Sequence, residues 1–201
     1  MIALVDSGTG NLRSVKKALE TVGAEVNLTN NSEEILAAEK VALPGVGAFG
    51  DSMKGLLERG LVDVINDVVL RGTTLLGICV GMQLLFDSSE ELGFYQGLGF
   101  VPGRVKRFDT PGLKVPQTGW NQLKLIRNCP LFRGLPDESY AYFNHSYYCE
   151  VDDINDMVTE TEYGIGFASA IQRDNVYGVQ FHPEKSQKVG LTILKNFLEL
   201  C

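Results

Sequence analysis

The 201-residue chain is poor in histidine, in positive charge and in long apolar runs, and each shortage excludes a class of protein. Histidine occurs twice, at His145 and His182, so metal chemistry has few imidazoles to draw on. The four cysteines, Cys79, Cys129, Cys149 and Cys201, are scattered without a C-x-x-C pair. That spacing predicts neither a disulfide framework nor a zinc site, and it fits a reducing compartment. Lys plus Arg number 18 against 25 Asp plus Glu, a formal charge of −7 with no basic run. Such a chain is a poor ligand for a phosphate backbone, and no nucleic acid is expected as a partner. Apolar runs such as residues 74–80 fall far short of the roughly 20 residues that span a bilayer. Met1-Ile2-Ala3-Leu4-Val5 runs straight into Asp6 with no basic stretch before it, unlike a signal peptide. The expectation is a cytoplasmic protein with no membrane partner.

What is present is an ordinary globular composition, 44% hydrophobic and 21% charged, which argues against disorder. The first half alternates strand and helix signals. Apolar Ile2–Val5 leads into the turn Asp6-Ser7-Gly8-Thr9-Gly10, and Asn11 is placed to cap a helix on Leu12, Val15, Leu19 and Val22. Strands are predicted at residues 25–29, 41–43 and 74–78, with amphipathic helices at 51–58 and 61–70 between them. From residue 101 to 173 the runs shorten and alternate, including 105–108, 140–143, 147–151 and 167–171, as antiparallel strands do. A strand at 175–181 and a helix at 189–200 close the chain. The fold class is α/β: an open, mostly parallel sheet flanked by helices with an antiparallel β extension, expected as one domain over 1–201.

The sharpest chemical signal is Gly77-Ile78-Cys79-Val80-Gly81, between an apolar strand and the helical spacing of Met82, Leu84, Leu85 and Phe86. A nucleophile on a cramped strand-to-helix turn needs small residues two positions to either side. There Cys79 would meet the positive end of a helix, which favours thiolate, and the Val80 amide could bind an oxyanion. A buried structural cysteine between packing glycines satisfies the same five residues. His182-Pro183-Glu184 is the natural complement. Proline holds the preceding residue extended, so His182 and Glu184 are expected to share a face, the carboxylate orienting the imidazole. A solvated glutamate at a strand end is the plainer alternative.

Three further stretches admit two readings each. Pro44-Gly45-Val46-Gly47 ends a parallel strand, where open α/β sheets place ligands, yet a bare turn reads the same way. Asn144-His145-Ser146-Tyr147-Tyr148 suits a pocket loop or a sheet edge. Trp120, within Gly119-Trp120-Asn121, suits a core more often than a functional role. The Gly8-Thr9-Gly10 stretch is no dinucleotide loop, because Arg13 occupies the third glycine position and no acidic residue ends the second strand.

Taken together, Pro44-Gly45-Val46-Gly47-Ala48-Phe49-Gly50, Gly77-Ile78-Cys79-Val80-Gly81-Met82-Gln83, Gly119-Trp120-Asn121, Asn144-His145-Ser146-Tyr147 and His182-Pro183-Glu184-Lys185-Ser186 resemble the class I glutamine amidotransferases, over nearly the whole chain. Within them they resemble the glutaminase subunits of imidazole glycerol phosphate synthases. The resemblance implies a flavodoxin-like core and a Cys-His-Glu triad of Cys79, His182 and Glu184. It implies oxyanion amides at Val46 and Val80, and contacts to L-glutamine from Gly47, Gln83, Glu91, Ser146 and Tyr147. It also implies a heterodimer with a cyclase subunit, a barrel, contacted by Asn11, Trp120, Asn121 and Lys185, with no cofactor and no metal. The cyclase would take the ammonia and form imidazole glycerol phosphate and aminoimidazole carboxamide ribotide in histidine biosynthesis. One departure from the family is Gln117-Thr118, where a histidine and an apolar residue are usual. A glutaminase of another amidotransferase, a stand-alone cysteine hydrolase and a flavodoxin-like binding module stay open on the residues themselves.

Overall fold

The structure is a computed structural model that describes residues 1–8 and 10–201. Thr9, in the turn after the first strand, lies outside them. The parallel core consists of β1 (Ile2–Val5), β2 (Val26–Thr29), β3 (Lys40–Gly45), β4 (Thr74–Cys79) and β13 (Val176–Val179), in the order β2-β1-β3-β4-β13. β1 and β13 are buried along their whole length, as strands covered on both faces must be. The connecting helices are α1 (Leu12–Thr21), α2 (Ser32–Leu36), α3 (Phe49–Glu58) and α4 (Leu61–Leu70), and α6 (Gln187–Leu200) ends the chain. α1 packs with α6, whereas α4 packs with α2 and α3. That division is what right-handed crossovers on either side of β1 produce. Each helix turns an apolar stripe inward, Val15, Ala18 and Leu19 in α1 and Leu61, Val64, Ile65 and Val68 in α4.

A one-turn helix, α5 (Val80–Gln83), follows β4. Beyond it come β5 (Phe86–Ser89), β6 (Tyr95–Gln96), β7 (Val101–Arg107), β8 (Gln117–Leu125), β9 (Ser139–His145), β10 (Tyr147–Val151), β11 (Met157–Glu162) and β12 (Gly166–Arg173). The sheet continues from β13 through β12, β10, β7, β5 and β6, and β11 carries β8 and β9 off its side. All of these pairings are antiparallel except β5 with β7. The parallel core with an antiparallel extension therefore stands as expected from the sequence.

Three local expectations are corrected. Asn11 occupies the N-cap position of α1, but its side chain makes no capping bond; its backbone carbonyl accepts from Ser14 and Val15 instead. The helix expected through Phe86 stops after Gln83, and Phe86 opens a strand. The carbonyls of Leu84, Leu85 and Phe86, which would continue a helix, accept from the amides of Leu98, Phe100 and Gly99 at 2.8–3.2 Å. Finally, Pro183–Lys185 is a 3-10 turn rather than extended chain.

Candidate active site

β3, β4 and β13 run in parallel, so their carboxyl ends and the chain just after them open on one side of the sheet, the edge where such folds collect ligands. β4 ends at Cys79, which adopts φ 56° and ψ −113°. A positive φ on a non-glycine residue is costly and persists only when its surroundings enforce it. Here close backbone approach does so. A Cβ on Gly77 would lie 2.6 Å from the Gly81 carbonyl oxygen, and one on Gly81 would collide with the carbonyl oxygen of Leu43. The glycines flanking Cys79 thus let the turn pack on the end of β3.

His182 follows β13 and is pinned by its backbone. Its N–H donates to the Tyr142 carbonyl at 2.9 Å. The buried Ser186 hydroxyl donates to the His182 carbonyl at 2.7 Å and accepts from the Tyr142 N–H at 2.9 Å. The 3-10 turn brings Glu184 back beneath the ring, and Nδ1 meets Glu184 Oε1 at 2.9 Å with the two side chains 4% and 1% exposed. Nδ1 being engaged, Nε2 is the nitrogen left for the hydrogen bond that His182 makes with Cys79. Burial alone would drive the imidazole toward its neutral form. The hydrogen bonds and charges of Cys79 and Glu184 outweigh it and lift the His182 pKa to about 9. Nearby Cys149, wholly buried, has its thiol pushed well above the ordinary range, chiefly by burial and further by the charge of Cys79.

A cavity of about 430 Å³ opens above these groups. Its walls bring together Asn11, Val46, Gly47, Cys79, Val80, Gln83, Glu91, Ser146, Tyr147, His182 and Lys185. Glu184 stands behind His182, while Trp120 and Asn121 lie outside the cavity. Trp120 is 47% exposed rather than part of the core and borders a shallower cleft with Tyr140, Ser186 and Val189. Asn121 spends its side chain internally, donating to the Glu162 carbonyl and accepting from the Gln122 N–H. Glu91 accepts from the Phe49 N–H at the start of α3 at 2.7 Å. Burial raises its carboxyl pKa despite that bond, and Asp51 adds to the rise. The Lys185 ammonium lies 5.5 Å from the Tyr142 ring centroid, and Tyr142 is ringed by Trp120 at 6.2 Å and His182 at 6.4 Å.

Sequence reasoning singled out neither Pro116 nor Gln180, and it placed Asn144 and His145 in a stretch that suits a pocket loop or a sheet edge. Pro116 and Asn144 line the cavity. His145 is buried against Phe108, Phe143 and Phe167, and its Nδ1–H donates to the Tyr147 carbonyl at 2.7 Å. Burial depresses its pKa to about 4, against the pull of that bond and with the help of the His182 charge. Gln180, fully buried, touches both Cys79 and Gln83. Gln180 follows β13 directly, and no local pattern marks an amide there as part of a site. Among the described residues no group of three or more His, Cys, Asp or Glu side chains could hold a metal ion.

Comparison with known proteins gives the family of the chain. The family described as glutamine amidotransferase class-I matches residues 3–201. The imidazole glycerol phosphate synthase subunit HisH of Moorella thermoacetica is 53% identical over 199 residues, 99% of this chain and 94% of the relative. The HisH subunit of Geobacter sulfurreducens is 50% identical over 205 residues, 99% and 98% of the two chains. A crystal structure of a glutamine amidotransferase shares the fold with a TM-score of 0.78 at 21% identity, covering 100% of this chain and 98% of its own. The chain belongs to the class I glutamine amidotransferases and, within them, to the HisH subunits of imidazole glycerol phosphate synthase.

Proposed function

We propose that Cys79, His182 and Glu184 hydrolyse glutamine to glutamate and ammonia, and that the ammonia passes to the cyclase subunit of imidazole glycerol phosphate synthase. The observation that carries this reading is the buried His182 ring, bonded to Glu184 on one side and Cys79 on the other, at the floor of a single cavity. Proton transfer from Cys79 to His182 makes the thiolate, which attacks the side-chain carbonyl carbon of glutamine. The amides of Val46 and Val80 stabilise the oxyanion that forms. As the tetrahedral adduct collapses, the imidazolium gives its proton to the departing nitrogen and ammonia leaves. His182 then takes a proton from water, hydroxide adds to the thioester, and glutamate departs as the thiolate is regenerated. No step requires a cofactor.

The amino-acid end of the substrate fits the rest of the wall. The Glu91 carboxylate faces the cavity and can pair with an ammonium group, and the hydrogens of the Gln83 amide are committed to Tyr147 and Gln180. That leaves the Gln83 oxygen to accept from the same ammonium. Gly47 and the backbone at Ser146 and Tyr147 complete the contacts. A barrel-shaped cyclase would seat on Asn11 and Lys185 at the cavity, on Trp120 at the adjacent cleft, and on Asn121 next to it in β8. Free ammonia becomes ammonium in neutral water, so direct transfer between subunits preserves the nucleophile. Cys79→Ala is expected to abolish glutamine-dependent synthesis by the reconstituted complex while synthesis from added ammonium salt continues. Loss of both activities in a folded complex would overturn this division of labour.

A further inference from the structure

The segment between β13 and His182 carries a polar side chain to which the scheme above gives no part in the chemistry at Cys79. Gln180 is fully buried, and its backbone N–H donates to the Ser169 carbonyl at 2.9 Å. A packing role would be served as well by methionine or leucine, without the cost of burying an amide. Instead both ends of the amide are engaged. Oε1 accepts from Gln83 Nε2 at 3.1 Å, and Nε2 stands 3.9 Å from Cys79 Sγ.

The direction of these bonds is fixed by the backbone. The Tyr147 carbonyl can only accept, and it lies 3.1 Å from Gln83 Nε2 and 2.7 Å from His145 Nδ1. Gln83 therefore presents its NH₂ group, whose second hydrogen goes to Gln180 Oε1. Gln180 must then turn its own NH₂ toward sulfur. A donor facing Sγ favours the thiolate, which only accepts, over the thiol. Together with the hydrogen bond to His182 it holds the sulfur from two sides.

We infer that Gln180 is a positioning residue for Cys79, its amide anchored by Gln83 and donating to the thiolate. The inference rests on Cys79 being the nucleophile. The other titratable groups around the sulfur are His182 with Glu184 behind it, Cys149 on β10, and Glu91, His145 and Lys185 on the cavity wall. All of these stay in place when Gln180 is changed.

The test is the pH dependence of Cys79 alkylation by iodoacetamide without glutamine, read by peptide mass spectrometry to separate Cys79 from the other three cysteines. Gln180→Met keeps the volume and removes the donor. Its alkylation midpoint is expected about one pH unit above wild type. In the complex with the cyclase subunit, kcat for glutamine hydrolysis should fall about tenfold with KM nearly unchanged. Gln83→Met, which removes the anchor and leaves the donor, should move the midpoint the same way by less. A folded Gln180→Met protein with the wild-type midpoint and kcat would overturn the inference. Should that variant not fold, a wild-type midpoint in Gln83→Met would overturn it equally. Glutamine hydrolysis surviving in Cys79→Ala would instead bring down the nucleophile assignment, whatever the alkylation profile.

Discussion

The two histidines have been driven in opposite directions by their surroundings, and that sets their roles. His182 holds firmly the proton it takes from Cys79, because the interactions with Cys79 and Glu184 more than offset its burial. His145 sheds its proton because it is buried among phenylalanines with one carbonyl for company. His182→Ala is expected to cut glutamine turnover by roughly 10²–10⁴. Glu184→Gln should cost less, since an amide oxygen can still accept from Nδ1 although it stabilises the imidazolium weakly. Kinetics of both variants at saturating partner decide it, and a severe His145 phenotype beside a mild His182 one would reverse the assignment. The same two shifts shape stability. His145 binds its proton at about 4 when folded against 6.5 for the free side chain. The unfolded chain thus binds more protons in that window, and stability rises with pH across it. His182 at about 9 does the reverse, contributing stability that is full below about pH 6.5 and lost as pH climbs through 9. Urea unfolding across this range should show both limbs. His145→Gln should flatten the acid one, which is worth on the order of 3 kcal/mol.

At the level of elements, the turn from β4 into α5 is the most constrained piece of the chain. Gly81→Ala would force a Cβ into the Leu43 carbonyl. The expected result is a loss of about 1–3 kcal/mol by thermal or urea unfolding, together with loss of glutaminase activity as the Cys79 backbone is displaced. Wild-type stability and turnover in that variant would mean the turn can relax. This turn was legible in the sequence because glycine at two fixed offsets is a steric demand with few other solutions. The alternating half of the chain was legible too, because strands buried on both faces are nearly uninterrupted apolar runs. Other elements were hidden for physical reasons. The extent of α5 depends on carbonyls captured by residues 98–100, a partnership that local spacing cannot report. β8 buries only Gln117 and Leu123, so its pattern shows little alternation. β11 sets Thr159 and Thr161 inside, where Thr159 pairs with Ser169 and Thr161 with the Gln122 carbonyl. The His182–Glu184 pair was anticipated, though a 3-10 turn and the Ser186 clamp bring it about rather than an extended chain. Gln180 escaped notice because its importance depends on two partners far away in sequence.

For the molecule as a whole, the open question is how a chain whose cavity is already assembled avoids spending glutamine alone. The strand end Gly45-Val46-Gly47 offers a means. Gly45 is wedged against the Gly81 nitrogen, 2.9 Å from where its Cβ would stand, whereas Gly47 adopts φ 98° with open space around it. The Val46 N–H lies in the Gly45–Val46 peptide, so rotation about Gly45 ψ and Val46 φ re-aims it, and the open space at Gly47 lets the chain beyond follow. One missing oxyanion donor costs about 10²–10³ in rate. Glutamate release should accordingly be slow for the isolated chain and rise by up to that factor when cyclase and its acceptor substrate are both bound. Equal rates with and without them would exclude such control, and a Gly45→Pro variant that still responded fully would clear this strand end. The proposed partner face also holds the chain's single tryptophan, half exposed and edge-on to Tyr142, which also faces His182 and Lys185. All indole fluorescence of this subunit thus originates at Trp120. Moving that ring from water into a protein contact shifts its emission toward the blue, so the protein carries its own optical gauge of subunit assembly, one that needs no label and reports from beside the chemistry.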